Sequence, residues 1–176
     1  MRFEQLSIPG AYRVYAPGSC DERGWFGRAY CSREFGVRGL PESIVQTSLS
    51  FNRSRCTLRG LHWQAHPSDE GKLVRCLRGR LFDVLADIRR GSSAWGRWES
   101  VELVEGDGWA VWIPPGVAHG FETLVDDTLV LYHMSGFFAP GSARRLRWDD
   151  PRLGVKWPEE PAVMSDEDRN ATGDPW

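Results

Sequence analysis

The sequence predicts an all-β domain, a β-sandwich or small barrel of jelly-roll type. The chain has 176 residues, enough for one domain with its own core. Nineteen Gly and 11 Pro divide it into short segments, as is typical of the turns in an all-β domain. These segments are rich in β-branched and aromatic residues, whereas amphipathic helices are scarce.

Eight segments are predicted as strands because each is short, apolar or aromatic, and closed by Gly, Pro or Asp. They are Tyr12–Tyr15, 26–31, 43–51, 73–77, 81–88, 98–103, Trp109–Ile113 and Thr128–Met134. A short helix is predicted after Ser165, and a second one near Ser32–Gly36.

One hairpin is predicted in residue detail. With Gly79-Arg80 as a two-residue loop, Cys76 pairs with Asp83. Because side chains alternate along strands, one face then carries Lys72, Val74, Cys76, Asp83, Leu85 and Asp87. Such a face is either solvated or a charged cluster that meets a ligand, and a loop one residue longer would reverse it.

Composition excludes several classes of partner. The net charge is −2, with 22 basic and 24 acidic residues, whereas nucleic-acid binding usually leaves a strongly basic surface. Arginine far outnumbers lysine, and guanidinium suits a small phosphorylated ligand. No apolar run has the roughly 20 residues of a membrane helix, and no signal sequence is visible. The four cysteines show no Cys-x-x-Cys spacing, so we expect free thiols in a soluble cytoplasmic protein.

The segment from Arg59 to Gln64, followed by Lys72, is the most informative for chemistry. It places His62 and Lys72 near each other in a β-rich region. Imidazole moves protons well near neutral pH, and an ammonium stabilises the negative charge that proton removal creates. A histidine in an apolar run can equally be a buried core residue.

Eleven short motifs extend this segment along the chain. They are Asp21-Glu22-Arg23-Gly24, Arg59-Gly60-Leu61-His62-Trp63-Gln64, Lys72-Leu73-Val74, Gly79-Arg80-Leu81-Phe82-Asp83-Val84, Asp87-Ile88-Arg89-Arg90-Gly91-Ser92, Trp95-Gly96-Arg97-Trp98, Ile113-Pro114-Pro115-Gly116, Ala118-His119-Gly120-Phe121, Trp148-Asp149-Asp150-Pro151, Trp157-Pro158 and Ser165-Asp166-Glu167-Asp168. In this order, from about residue 5 to residue 169, the chain resembles the dTDP-4-dehydrorhamnose 3,5-epimerase family, cupin-like jelly-roll enzymes of deoxysugar-nucleotide biosynthesis.

The resemblance implies a substrate and a mechanism. The substrate is a 4-keto-6-deoxyhexose on a nucleoside diphosphate, here dTDP-4-keto-6-deoxyglucose. Its C4 ketone acidifies the hydrogens on C3 and C5, so a base can form an enolate and a proton returned to the opposite face inverts that carbon. The ketone is the electron sink, so the resemblance implies neither a metal nor another cofactor. It also implies a homodimer of single jelly-roll domains, spanning 1–176, with N-terminal strands exchanged between subunits.

Four residues match the family's catalytic positions. His62 corresponds to the base and Asp168 to the carboxylate that orients it. Lys72 corresponds to the cation beside the enolate, and Tyr132 to the acid on the opposite face. Structural roles remain open for three of them: a helix cap with Ser165 for Asp168, an exposed strand position for Lys72, and a core aromatic for Tyr132.

The candidate substrate-binding residues follow from the same resemblance. Arg59 matches an arginine that binds the diphosphate, with a surface salt bridge as its alternative role, and Arg23 matches an arginine that reaches over from the partner subunit. The remaining candidates at the sugar-nucleotide cleft are Phe26, Gln46, Asp83, His119 and Phe138.

Four positions depart from the family pattern. Phe138 stands where a tyrosine is usual beside the sugar, which leaves open whether C3, C5 or both invert. Ser48 replaces a usual asparagine, and Arg28 and Ala143 replace usual glutamates. These three leave the base and sugar preferences open.

Three other functions fit a jelly roll. A metal-dependent cupin oxygenase needs a ligand cluster such as His-x-His, and the four histidines contain none. A sugar-nucleotide 3,4-ketoisomerase shares the fold and substrate class, and fold alone does not decide chemistry. A carbohydrate-binding module needs aromatic and polar contacts but no paired base and acid.

Overall fold

A computed structural model describes residues 1–174 and has two antiparallel β-sheets packed face to face. Its strands are β1 (Arg2–Gln5), β2 (Tyr12–Tyr15), β3 (Gly18–Asp21), β4 (Gly24–Gly27), β5 (Gln46–Asn52), β6 (Leu58–Gln64), β7 (Lys72–Arg78), β8 (Arg80–Asp87), β9 (Trp98–Val104), β10 (Trp109–Ile113), β11 (Val117–Thr123), β12 (Thr128–Met134) and β13 (Ala143–Arg145). The helices are α1 (Ser32–Gly36), a single 3₁₀ turn at Pro140–Ser142, and α2 (Asp166–Arg169).

The strand order places distant parts of the chain side by side. The larger sheet has the order β1-β2-β10-β7-β12-β5 and the smaller one β13-β6-β11-β8-β9. Strands β3 and β4 form a separate two-stranded ribbon. The jelly-roll class predicted from the sequence is confirmed. None of the helices in residues 1–174 is long and apolar enough to cross a membrane.

The main core lies between the two sheets. Val74, Val111 and Val130 come from the larger sheet, and Leu85 and Phe121 from the smaller one. All five are at most 1% exposed. A well-packed β-branched and aromatic interior of this kind is what favours strands in these segments over helices.

Two further clusters cover the outer faces. On the larger sheet, Phe35 of α1 packs edge-on against Trp112 at 5.6 Å between ring centroids. On the smaller sheet, Leu146 and Leu153 pack over Leu61. The C-terminal segment therefore lies along the back of the strand that carries His62.

The predicted strands agree in part with the structure. Strands β2, β10 and β12 have the predicted bounds, and both predicted helices are present. The strand predicted over 26–31 is wrong, since β4 ends at Gly27. Five strands were not predicted: β1, β3, β6, β11 and β13.

The predicted hairpin at Gly79 is wrong. Strand β7 pairs with β10 and β12, whereas β8 pairs with β9 and β11, so the chain passes from one sheet to the other at this glycine. Gly79 has φ +85°, and an added Cβ would lie 2.7 Å from Thr128 Oγ1. The single face predicted for both strands is therefore wrong as well, but the alternation within each strand is right, because Val74 of β7 and Leu85 of β8 both point into the core from opposite sheets.

Candidate active site

A cleft of about 240 Å³ opens between the two sheets. The smaller sheet contributes His62 on β6, and the larger sheet contributes Lys72 on β7. Phe138 comes from the segment that joins β12 to β13. The other lining residues are Trp63, Gln64, Glu70, Ala143, Arg144 and Arg145. His62, Lys72 and Phe138, which is one of the four departures from the family pattern, thus line one cleft.

His62 is hydrogen bonded to Asp168 at the wall of this cleft. Its Nε2 lies 2.6 Å from Asp168 Oδ1, and its side chain is 38% exposed while that of Asp168 is 7% exposed. Among residues 1–174 the other ring nitrogen, Nδ1, has no hydrogen-bond partner. An ionised Asp168 accepts from Nε2–H, so the unprotonated Nδ1 is left to accept a proton.

Asp168 is held ionised by its surroundings. Burial alone would raise the pKa of its carboxyl, but the hydrogen bond from His62, the Gly60 N–H at 3.2 Å and Arg145 Nε at 3.3 Å lower that pKa overall. Ser165 caps α2, because its Oγ accepts a hydrogen bond from the backbone N–H of Asp168 at 3.1 Å. The two roles considered for Asp168 therefore use different atoms and coexist.

Lys72 is largely buried and lies opposite His62 across the cleft. Burial lowers the pKa of its ammonium, while the carboxylates of Glu70 and Asp83 oppose that shift. The Nζ atom is 3.7 Å from Glu70 Oε1. The alternative of an exposed strand lysine is wrong.

A second, fully buried histidine–carboxylate pair lies on the same face of the smaller sheet. His119 is the cross-strand partner of His62, and its Nε2 is 2.8 Å from Asp83 Oδ2. The ring of Tyr132 packs edge-on against His119 at 5.9 Å. Burial and the nearby Asp83 raise the pKa of the Tyr132 phenol, although Arg59 opposes this. Tyr132 therefore stays protonated and keeps a proton to give.

Two glutamines hold the segment that bears Phe138. Gln46 Oε1 accepts from the Phe138 N–H at 2.5 Å, and Gln64 Oε1 accepts from the Ala139 N–H at 2.6 Å. The Gln64 amide also donates to the carbonyls of Phe137 and Ser68, at 3.1 and 3.0 Å. Since Gln46 and Gln64 come from opposite sheets, the segment is fixed across the mouth of the cleft.

The three remaining candidates lie away from the cleft lining. Arg59 Nε donates to Asn52 Oδ1 at 2.7 Å, and in the part of the chain that the structure describes Arg59 does not form the surface salt bridge considered for it. Arg23 and Phe26 lie on the β3–β4 ribbon, where Phe26 is 82% exposed. Arg23 bonds to Asp21 of the same ribbon, with Nη2 2.5 Å from Oδ2.

The other departures from the family pattern occupy different places. Ser48 is the cross-strand partner of Tyr132, and Ala143 lines the cleft opposite Gln64. Arg28 is exposed, with its Nη1 3.5 Å from Glu34 Oε1, and lies outside the cleft lining.

Sequence reasoning missed Gln64, Glu70 and Arg145. Gln64 is two residues beyond His62 on one strand, so alternation would have placed both on the same face had β6 been predicted. Arg145 reaches Asp168 only because β13 pairs with β6. Glu70 precedes Lys72 by two residues, but nothing local shows that its carboxylate is buried. Within residues 1–174, no group of three or more His, Cys, Asp and Glu side chains could hold a metal ion.

Comparison with known proteins gives a consistent result. The family model described as dTDP-4-dehydrorhamnose 3,5-epimerase matches residues 5–173. The dTDP-4-dehydrorhamnose 3,5-epimerase of Sinorhizobium fredii is 39% identical over 169 residues, which cover 96% of this chain and 87% of that protein.

Solved structures are similar over nearly the whole chain. The dTDP-4-dehydrorhamnose 3,5-epimerase of Elizabethkingia anophelis superposes with a TM-score of 0.92 at 31% identity, covering 97% of this chain and 94% of that one. ChmJ, a 3'-monoepimerase from Streptomyces bikiniensis solved with dTDP-quinovose, superposes with a TM-score of 0.88 at 32% identity, covering 94% and 84%. The chain is thus similar to proteins named for two centres and to one named for a single centre.

Proposed function

This chain belongs to the dTDP-4-dehydrorhamnose 3,5-epimerase family, and we propose that it works through the His62–Asp168 pair. It is an epimerase that acts on a nucleotide-linked 4-keto-6-deoxyhexose at C3, C5 or both. The observation that carries the proposed mechanism is the 2.6 Å contact of His62 with a buried, ionised Asp168 across the cleft from Lys72.

In the first step His62 Nδ1 removes a proton from the carbon next to the ketone. The C–H electron pair moves into the ring and the C4 oxygen becomes an enolate oxyanion. The imidazolium that forms is stabilised by the Asp168 carboxylate. Lys72 supplies a positive charge for the oxyanion from the opposite sheet, in a site where burial strengthens the attraction.

In the second step a proton returns to the opposite face of the same carbon. Tyr132 is assigned this role, because its buried phenol keeps its proton at neutral pH. His119, which is hydrogen bonded to Asp83, packs edge-on against the Tyr132 ring and so fixes the position of that ring. Electrons balance without an added oxidant, since the enolate pair takes up the new proton and the ketone is restored. The His62 imidazolium then gives its proton to solvent and the Tyr132 phenolate takes one up, which returns both groups to their starting state.

The diphosphate is assigned to Arg59, whose guanidinium hydrogen bonds within residues 1–174 only through Nε, to Asn52, and so keeps its two terminal nitrogens for a ligand. The sugar is assigned to the cleft beside Phe138, which Gln46 holds in place. A dTDP-linked sugar is assigned as the substrate, since the neighbour ChmJ was solved with dTDP-quinovose.

We expect deuterium at C3 alone when dTDP-4-keto-6-deoxyglucose is incubated with the protein in heavy water and analysed by mass spectrometry and NMR. Phe138 lacks the hydroxyl that could guide the intermediate between two inversions, and one hydrogen bond is worth about 1 kcal/mol, enough to bias the outcome. Phe138→Tyr should add label at C5.

Phe137→Tyr is the matched control, because Phe137 is the neighbouring phenylalanine and does not line the cleft. Label at both carbons in the unmodified protein would contradict the single-centre proposal while supporting the enolate. No label together with tight binding would indicate a carbohydrate-binding module instead.

The whole chain is proposed to be one jelly-roll domain that forms a homodimer. The β3–β4 ribbon projects Phe26 and Arg23 into solvent, away from the cleft of their own chain. Leu49 and Phe51, on the edge strand β5, are also exposed. The apolar side chains on the edge strand β5 and on the β3–β4 ribbon suit contact with a second copy of the chain. That contact would bring Arg23 and Phe26 to the partner's cleft. The four free thiols suit a cytoplasmic location.

We expect mixed dimers to recover activity from two inactive parents. If each site uses His62 of one chain and Arg23 of the other, a dimer of Arg23→Ala and His62→Ala chains has one intact site. Co-expression should then give about one quarter of normal activity, since half of random dimers are mixed and half of their sites are intact. If activity stays at the level of the parents, each site is built from a single chain.

A further inference from the structure

Glu70 is a buried carboxylate in the cleft that the mechanism above does not use. Its side chain is 7% exposed and its Oε1 lies 3.7 Å from Lys72 Nζ. It lines the same cleft as His62. A buried carboxylate is costly unless a partner compensates it, so its position beside Lys72 calls for a reason.

The backbone around Glu70 is braced on both sides. The Gly71 N–H donates to Ser135 Oγ at 2.8 Å, and the Ser135 N–H donates back to the Gly71 carbonyl at 2.9 Å. On the other side, Gln64 donates to the Ser68 carbonyl at 3.0 Å. Gly136 packs closely, since a Cβ there would lie 3.0 Å from Glu70 Cβ. The carboxylate is therefore built into the wall of the cleft.

The charge balance at Lys72 gives Glu70 a function. An oxyanion is stabilised by this side chain only while it carries its proton, and burial favours the neutral amine. Glu70 and Asp83 are the carboxylates that oppose this, and Glu70 is the nearer in sequence and in the cleft. The other titratable or charged groups around the cleft and behind it are His62, His119, Tyr132, Arg144 and Arg145.

We propose that Glu70 is a positioning residue that keeps the Lys72 ammonium protonated and directed at the C4 oxygen. The inference rests on the proposed function, because it assigns Lys72 to the oxyanion. A negative neighbour raises the pKa of a lysine, so removing it lowers that pKa. Loss of the Glu70 charge therefore makes Lys72 lose its proton at lower pH.

The chain offers a direct measurement, because Lys72 and Lys156 are its only lysines. Protein labelled with ¹³C at the lysine ε-carbon gives two NMR signals, with exposed Lys156 as the internal reference. In Glu70→Gln the pKa of Lys72 should fall by about one unit or more. The alkaline limb of kcat should move to lower pH by the same amount, with little change in KM.

Two further variants make the test decisive. Asp69→Asn, a carboxylate of the same loop that contacts His66 and not Lys72, should leave the Lys72 titration and the kcat limb in place. Glu70→Asp keeps the charge with a shorter reach, so its Lys72 pKa should lie between wild type and Glu70→Gln. If Glu70→Gln does not fold, the Lys72 pKa in Glu70→Asp alone tests the inference. An unchanged or raised Lys72 pKa overturns the inference, whereas absence of solvent exchange in the wild type would overturn the proposed function instead.

Discussion

His62→Ala is expected to lower the rate of solvent hydrogen exchange into the substrate by about 10³-fold or more. His62 is the proposed base. Its Nδ1 has no hydrogen-bond partner among residues 1–174, and its Nε2 is paired with the buried Asp168 carboxylate, an arrangement that fits it for proton removal. Alanine leaves nothing in its place except water. The measurement is deuterium incorporation over time, with substrate binding followed separately by calorimetry, because the diphosphate contacts should persist.

Asp168→Asn tests the same pair from the other side. An amide can orient the ring, but it neither fixes Nε2 as the protonated nitrogen nor stabilises an imidazolium, so the exchange rate should fall by about 10²-fold. The loss is smaller than for His62→Ala because a base remains.

Ser165→Ala is the matched control for Asp168. It removes the cap that Asp168 N–H uses and costs about 1 kcal/mol of stability, but it leaves the carboxylate on His62. A normal exchange rate in Asp168→Asn with a lowered melting temperature would mean that the Asp168 carboxylate serves only stability, through its contacts with Gly60 and Arg145.

Local patterns predicted the fold class well but not the strand pairing. Alternation correctly predicted which residues of each strand share a side, because alternation depends only on each strand's own pleat, but Val74 and Leu85 point into the core from opposite sheets. The hairpin at Gly79 was wrong, because a turn-forming glycine does not reveal whether the next strand stays in the same sheet. Pairing depends on distant partners that the local sequence does not contain.

The site shows the same division between local and distant information. His62 and Lys72 were predicted from a motif and its resemblance to a family. Gln64 and Arg145 were missed because β6 contains Gly60 and the charged Arg59 and does not look like a strand. Its pairing with β11 and β13 makes it one.

Glu122→Gln is expected to gain stability over wild type as pH rises. The difference in the free energy of unfolding between variant and wild type should be about 3 kcal/mol larger at pH 8 than at pH 4. Glu122 is fully buried on β11, facing away from the cleft beside Phe82, and within residues 1–174 neither carboxylate oxygen has a partner. Burial raises the pKa of Glu122 from 4.5 to about 7, with Arg55 opposing this.

The sign follows from proton binding. Below pH 4.5 both states hold the proton and Glu122 adds no pH dependence. Between pH 4.5 and 7 the unfolded chain releases it while the folded protein keeps it, so the free energy of unfolding falls as pH rises. Above pH 7 the loss is constant. Glutamine cannot ionise, so the variant should gain stability relative to wild type as pH rises.

Urea unfolding at several pH values measures this gain, and the difference between variant and wild type cancels the other titrating groups. A buried amide has its own cost, but that cost is the same at every pH and leaves the slope untouched. Glu102→Gln is the control, because Glu102 is half exposed on the same sheet and pairs with Arg80 at 3.4 Å. A difference between Glu122→Gln and wild type that stays constant from pH 4 to pH 8 would show that Glu122 ionises normally, through a partner or water that reaches it. A gain that builds up between pH 4.5 and pH 7 and stays constant above pH 7 would identify this carboxyl as a group that makes the fold less stable at neutral pH than in acid.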